Sequence, residues 1–177
     1  MRKLIITEFI SADGIAEVEK LKGVAWNDEL QAFKDEELAD SGAMLIGRKT
    51  YDIFAGHWPK ETGAFADRFN GLRKYVVSNT LRDVAWAPSE VLKGDLAQAV
   101  TELKQGDGGN IYVHGSLNLA QQLLALGLVD RVRLLSHPLT LGEGKRLFPA
   151  GELQFRLISS KPFANGVVAL EYAPATA

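Results

Sequence analysis

The chain contains no cysteine. That excludes disulfides, thiolate zinc sites and a cysteine nucleophile together, and nothing in it requires an oxidising compartment. Charge of one sign is also missing. Twenty Lys and Arg against 22 Asp and Glu leave a formal net charge of -2, spread along the chain, so no global basic field marks a dedicated nucleic-acid binder. No apolar run approaches the roughly 18 residues of a membrane span. Glu8 breaks the opening Leu4-Ile5-Ile6 run too early for a signal peptide. A soluble, cytoplasmic protein with no nucleic-acid or membrane partner is therefore expected. The three histidines, His57, His114 and His137, lack metal-ligand spacing, which predicts no metal. Internal repeats and low-complexity tracts are absent. So are a Gly-x-Gly-x-x-Gly following a strand and a Gly-Lys-Ser/Thr phosphate loop.

What remains is the pattern of an ordinary globular core. At 177 residues the chain is read as one domain, 1–177, large enough to bury about 70% of its unfolded surface. Leu4 to Ile10 is apolar on both faces, as a central strand covered on both sides requires. Residues 11–27, with the Asp13-Gly14 turn pair, read as a long loop, and such loops in compact domains often carry function. Asp28 with Gln31 resembles a capping box opening a helix to about Asp40, with Leu30, Phe33 and Leu38 inward. Met44-Leu45-Ile46 is a buried strand, followed by a helical turn carrying Tyr51 and Phe54. Gly56 to Gly71 reads as irregular. Tyr75-Val76-Val77 is a short buried strand, and residues 81–93 are ambiguous, with two short extended pieces around Pro88 as one reading.

Asp95 and Gln98 mark a second capping box, opening a helix with Leu96, Val100 and Leu103 inward, stopped at Gly106. Ile111-Tyr112-Val113 is the next strand. His114-Gly115-Ser116 then turns into a helix burying Leu119, Leu123 and Leu126 and ending at Gly127. Val129 to Leu135 adds a strand, and Phe155 to Ser160 and Val167 to Tyr172 flank Asn165-Gly166, a strong hairpin signal. Alternating strands and helices with crossovers of this length predict an α/β fold with a mostly parallel mixed sheet, helices on both faces and an antiparallel C-terminal hairpin.

In such a sheet, ligands gather beyond the carboxyl ends of the strands. Three of those ends carry suitable chemistry. Gly47-Arg48-Lys49-Thr50 is a basic helix start, Ser78-Asn79 offers short polar donors, and Gly115-Ser116 opens another helix. Helix N-termini favour anionic oxygens, and the Arg48 guanidinium suits a phosphate dianion.

These segments resemble the dihydrofolate reductase superfamily. Leu45 to Tyr51 looks like its pyrophosphate- and 2′-phosphate-binding strand and helix start. Val76 to Asn79 resembles its second adenosine-side segment, and Ile111 to Ser116 its Gly-Gly turn, with Ser116 in place of the second glycine. Ser11-Ala12-Asp13-Gly14 and the stretch from Gly127 to Pro149 are more specifically similar to the reductase domain of the bifunctional riboflavin-biosynthesis deaminase/reductase and its stand-alone relatives. The similarity runs in order along nearly the whole chain. It implies a dihydrofolate reductase-like three-layer fold without the zinc-binding deaminase domain.

The resemblance further implies NADPH as hydride donor and a C=N-type bond of a pyrimidine or pterin-like molecule as acceptor, as in 5-amino-6-(5-phosphoribosylamino)uracil reductase. Arg48, Ser78 and Asn79 would hold the 2′-phosphate. Gly47, Lys49, Thr50, Gly115 and Ser116 would line the rest of the cofactor site. Ser11, Trp26 and Gln31 are the expected substrate contacts. For the proton, relatives keep a carboxylate early on the helix after a Trp-containing loop, and two alignments compete, one ending at Gln31 and the other at Glu29. Asp13 is a further candidate acid, and Asp28 reads as the N-cap. A homodimer is expected because relatives with this arrangement are often dimers. Two other readings stand beside this one: a non-catalytic nucleotide-binding or dimerisation module, and a weak dihydrofolate reductase.

Overall fold

The computed structural model describes residues 1–17, 20–21, 26–148 and 151–175. Parts of the 11–27 loop and Pro149 lie outside the described residues. Eight strands form one sheet: β1 (Leu4–Ser11), β2 (Ser41–Gly47), β3 (Arg73–Val77), β4 (Ser89–Leu92), β5 (Asn110–His114), β6 (Arg131–His137), β7 (Phe155–Pro162) and β8 (Val168–Pro174). Their order is β4-β3-β2-β5-β1-β6-β8-β7. The six strands from β4 to β6 are parallel neighbours, and β8 runs antiparallel to both β6 and β7. The three-layer α/β architecture with its C-terminal hairpin is the one the sequence predicts.

Among the described residues, five α-helices cover the faces: α1 (Asp28–Asp40), α2 (Arg48–His57), α3 (Ala64–Gly71), α4 (Leu96–Gln105) and α5 (Leu117–Ala125). Met44, Leu45 and Ile46 of β2 are all fully buried, because alternate side chains of a parallel strand meet a helix layer on each side. Leu45 joins Ile6, Ile10, Val100, Leu119 and Leu123 in the core beneath α4 and α5. Met44 and Ile46 join Leu38, Tyr51 and Phe69 on the face of α1, α2 and α3.

Several local expectations are corrected. Residues 56–71 are not irregular: a 3-10 turn at Trp58–Lys60 leads into α3. Glycines at both ends, with Gly63 at φ +106 and no side-chain cap, hide a short helix whose Phe65 and Phe69 lie one turn apart and pack together. The α1 N-cap is Asn27, whose side chain accepts Leu30 N–H, so Asp28 is the first helical residue. Asp95 does cap α4 by accepting Gln98 N–H, but the Gln98 amide turns to Glu102 and does not close the box. Residues 81–93 contain one strand, β4, directly after Pro88. Leu126, expected inside, is exposed because α5 ends before it. The Asn165-Gly166 turn forms as expected, with Gly166 at φ +85 and the Asn165 side chain accepting Val167 N–H.

Candidate functional site

The three polar strand ends converge. The Gly47 N–H donates to the Ser116 hydroxyl at 2.9 Å, joining the ends of β2 and β5. Arg48 reaches the Thr80 hydroxyl at 2.8 Å and lies 3.6 Å from Asp52, joining α2 to the turn after β3. A Cβ on Gly115 would stand 3.4 Å from Thr50, and the residue is at φ +59, so glycine satisfies both the close approach and the left-handed backbone. Ser116 follows in the same left-handed region at φ 61.

The helix starts here differ from those of α1 and α4. Both α1 and α4 have an N-cap side chain accepting a first-turn N–H, whereas Gly47 of α2 and Ser116 of α5 make no such bond. Two uncapped helix N-termini therefore face one crevice, with Arg48 and Lys49 exposed beside them. Backbone donors and cations in this combination favour negatively charged groups.

Ser78 is buried and accepts N–H bonds from Thr80 and Leu81, which shapes the turn beyond β3. Ser78 and the exposed Asn79 line a cleft of about 270 Å³ together with Lys93, Gly94, Asp95 and Gln122. Lys93 and Gln122 were not singled out from sequence. Lys93 lies in a stretch without clear periodicity, and Gln122 reads as an exposed helix position; only the fold brings both next to Ser78. A larger cavity of about 550 Å³, bounded by Gly127, Phe155 and Pro174, opens at the amino ends of the parallel strands. It lies away from the carboxyl-end crevice where such sheets bind ligands.

The predicted substrate residues form a second group. The Trp26 indole N–H donates to the Gln31 side-chain oxygen at 2.8 Å. Trp26 is 55% exposed, and its ring lies 6.3 Å from Phe9, which in turn lies 5.7 Å from His137. Both ring nitrogens of His137 are buried without a hydrogen-bond partner, and burial lowers its pKa. This leaves a braced aromatic wall beside a buried imidazole whose protonation burial disfavours. Ser11 is fully buried, and its hydroxyl is engaged with Asp13 and Ile15.

The two expected acids are held by other partners. Asp13 accepts the Ser11 hydroxyl and the N–H groups of Leu141 and Gly142. These bonds, the Ser11 hydroxyl foremost, pull its pKa down to about 2, the wrong direction for a group that must donate a proton near neutrality. One Glu29 oxygen accepts Ala164 N–H at 2.6 Å, fastening the start of α1 to the β7–β8 hairpin. None of the hydrogen bonds or ion pairs of either residue, among the described residues, reaches Gly47 or Gly115. Among the described residues no three His, Cys, Asp or Glu cluster as a metal site, and no helix is long and apolar enough to cross a membrane.

The uncharacterized protein YyaP of Bacillus subtilis (strain 168) is 29% identical over 97% of this chain and 94% of its own length. A protein of Shewanella sp. PV-4 whose proposed role is riboflavin biosynthesis superposes with a TM-score of 0.80 at 20% identity, over 98% of this chain and 99% of that one. A pyrimidine reductase-like protein of Corynebacterium diphtheriae gives 0.68 at 14%, over 99% and 93% of the two chains. RibD of Acinetobacter baumannii gives 0.63 at 15%, over 99% of this chain but 58% of its own. The family model of the RibD C-terminal domain matches residues 2–169, and the chain belongs to that family.

Proposed function

We propose that the protein is an NADPH-dependent reductase that delivers hydride to a C=N-type bond of a pyrimidine or pterin-like small molecule. The observation that carries this reading is the convergence of Gly47-Arg48, Ser78-Thr80 and Gly115-Ser116 around two uncapped helix N-termini. The residues present fit a dinucleotide: glycines at the closest approaches, backbone donors for the pyrophosphate, and cations at one end only. Arg48 and Lys93, with Ser78 and Asn79, would hold the 2′-phosphate; Gly47, Lys49 and Thr50 would hold the pyrophosphate, and Gly115 and Ser116 the nicotinamide side. When bound, the cofactor supplies the hydride.

The chain's own contribution is to bind, orient and exclude water. Trp26, braced by Gln31, offers a heteroaromatic ring a flat face to stack on, with Phe9 behind it. Ser11 fixes the turn at the end of β1 by accepting the Ile15 N–H. The pyrimidine class is favoured by family membership and by the description of the Corynebacterium diphtheriae neighbour as pyrimidine reductase-like. Self-association belongs to the same reading. The edge strand β7 exposes Leu157 and Ile158 on a sheet margin that natural proteins usually cover, and a second copy would cover it in a cytoplasmic homodimer.

A fluorescence titration with NADPH and NADH tests the core of the proposal. Saturable binding with a clear preference for NADPH is expected, and the absence of either would overturn it. The second reading, a nucleotide-binding module without turnover, is favoured by one observation: Asp13 and Glu29 are both committed to structural bonds. Tight NADPH binding with no oxidation in the presence of any pyrimidine or pterin substrate would select it.

A further inference from the structure

Glu8 is a carboxyl group with no structural reason to be where it is. It lies in the middle of β1, the central strand, and is 5% exposed. Its Oε1 is buried and makes no hydrogen bond. Burying an ionisable group without a partner costs stability, so a side chain of this kind calls for an explanation.

Its position supplies one. Thr7 pairs with His114 in the β1–β5 ladder, so Glu8 stands one residue further, level with Gly115. The β1–β6 register runs without a bulge from Ile5 to Ser11, so Glu8 shares a face with Ile6 and Ile10. Both pack in the core with Leu119 of α5. The side chain therefore enters the layer between the sheet and α5, one residue past the last β1–β5 pair, at the level where the chain makes the left-handed Gly115-Ser116 turn. In the dinucleotide reading proposed above, Gly115 and Ser116 take the nicotinamide side.

The charge around it is sparse. The α5 sequence, Leu117–Ala125, has no ionisable residue, and the same-face strand positions beside Glu8 are Val113, Val132 and Leu134. Among nearby loop residues, Glu17 pairs with Lys20, and Arg146 donates to the Asp13 carbonyl. Lys34 of α1, directed at Thr7 and Glu37 on the opposite face, is the charge that acts on Glu8 through the sheet. Desolvation outweighs it and raises the Glu8 pKa to about 8, so the group carries its proton at neutral pH.

We infer that Glu8 recognises the primary carboxamide of a nicotinamide ring, donating its carboxyl O–H to the carboxamide oxygen while its carbonyl oxygen accepts a carboxamide N–H. An acid and a primary amide match in this way because each offers one donor and one acceptor side by side. An ionised carboxylate has lost the donor and makes only half of the pair. The inference rests on the dinucleotide reading, which concerns the adenosine end held by Arg48 and Ser78.

The test separates the two ends. Binding of adenosine 2′,5′-bisphosphate and of NADPH is measured by calorimetry for the wild type, Glu8→Gln and Glu8→Leu at pH 7 and pH 9. All three chains should bind the bisphosphate equally. Glu8→Leu should bind NADPH about 10-fold or more weakly, the loss expected for two hydrogen bonds. Glu8→Gln, whose amide keeps a donor and an acceptor, should bind nearly as the wild type at pH 7 and keep that affinity at pH 9, where the wild type weakens. Bisphosphate binding with NADPH affinity unchanged in Glu8→Leu overturns the role of Glu8 and leaves the dinucleotide reading standing. No bisphosphate binding to the wild type overturns both. Should Glu8→Leu fail to fold, as judged by circular dichroism, the pH 7 to pH 9 comparison of wild type and Glu8→Gln decides: equal pH dependence overturns the role.

Discussion

The Ser116 hydroxyl accepts the Gly47 backbone N–H at 2.9 Å, bridging 69 residues of sequence and fastening the end of β2 to the end of β5. Ser116 makes this bond from a left-handed backbone, at φ 61 and ψ 44, that serine rarely adopts. The bond and the strain oppose each other. Ser116→Ala keeps the strain and loses the bond, so it should destabilise by about 1–3 kcal/mol. Ser116→Gly loses the bond but relieves the backbone and should fall between alanine and wild type. Urea denaturation distinguishes the three, and an alanine variant as stable as wild type would show that the bridge contributes nothing.

Arg48 is the expected discriminator between the two nicotinamide cofactors. It is half exposed and tethered by Thr80 and Asp52, so its replacement should leave the fold intact. Arg48→Ala should weaken NADPH by about 10- to 100-fold, the range for a charge-assisted phosphate contact, and leave NADH nearly unchanged. Equal losses for both would move the 2′-phosphate site elsewhere, with Lys93 the next residue to vary.

Asp13 should appear in the acid limb of stability. Its folded pKa lies below the ordinary value of 3.8, at about 2, so its stabilisation is fully present above 3.8 and is lost as pH falls through 2. Asp13→Asn should flatten the fall in Tm across that window. A variant whose Tm falls as steeply as the wild type would remove Asp13 as the latch of the Leu141-Gly142 loop.

Glu8 has the opposite sign. A folded pKa of about 8 against 4.5 means that the unfolded chain releases its proton first. The contribution of this group is greatest below pH 4.5, declines as pH rises towards 8 and levels off above it. Glu8→Gln cannot ionise and should lose that slope, which thermal melts from pH 5 to pH 8 will reveal.

Under α1, the buried pair of Lys34 and Glu37 holds the Thr7 hydroxyl, and Arg133 stands 4.0 Å from Glu37. Removing the carboxylate leaves a buried ammonium without its partner. Glu37→Ala should cost about 3–5 kcal/mol, whereas replacing Lys34 and Glu37 together by Met and Leu should cost far less. Chemical denaturation of the single and double variants measures the coupling.

Sequence by itself determined the succession of strands and helices apart from α3 and β4, the central position of β1, the Asn165-Gly166 turn and the three polar strand ends, because each depends on local pattern: apolar runs, glycine turns and cap residues. It left α3 hidden, since that helix draws its stability from Phe65 and Phe69 packing beneath Trp58 and not from caps. Only the tertiary structure decided what the polar residues do. Asp13 and Glu29 look like acids in the sequence, yet long-range backbone donors at Leu141, Gly142 and Ala164 occupy them. Glu8, in sequence only the residue that ends an apolar run, becomes a desolvated acid beside Gly115 once strands more than 100 residues apart pair. Local propensity acts over a few residues, whereas desolvation and hydrogen-bond partnership depend on which distant segments the sheet brings together.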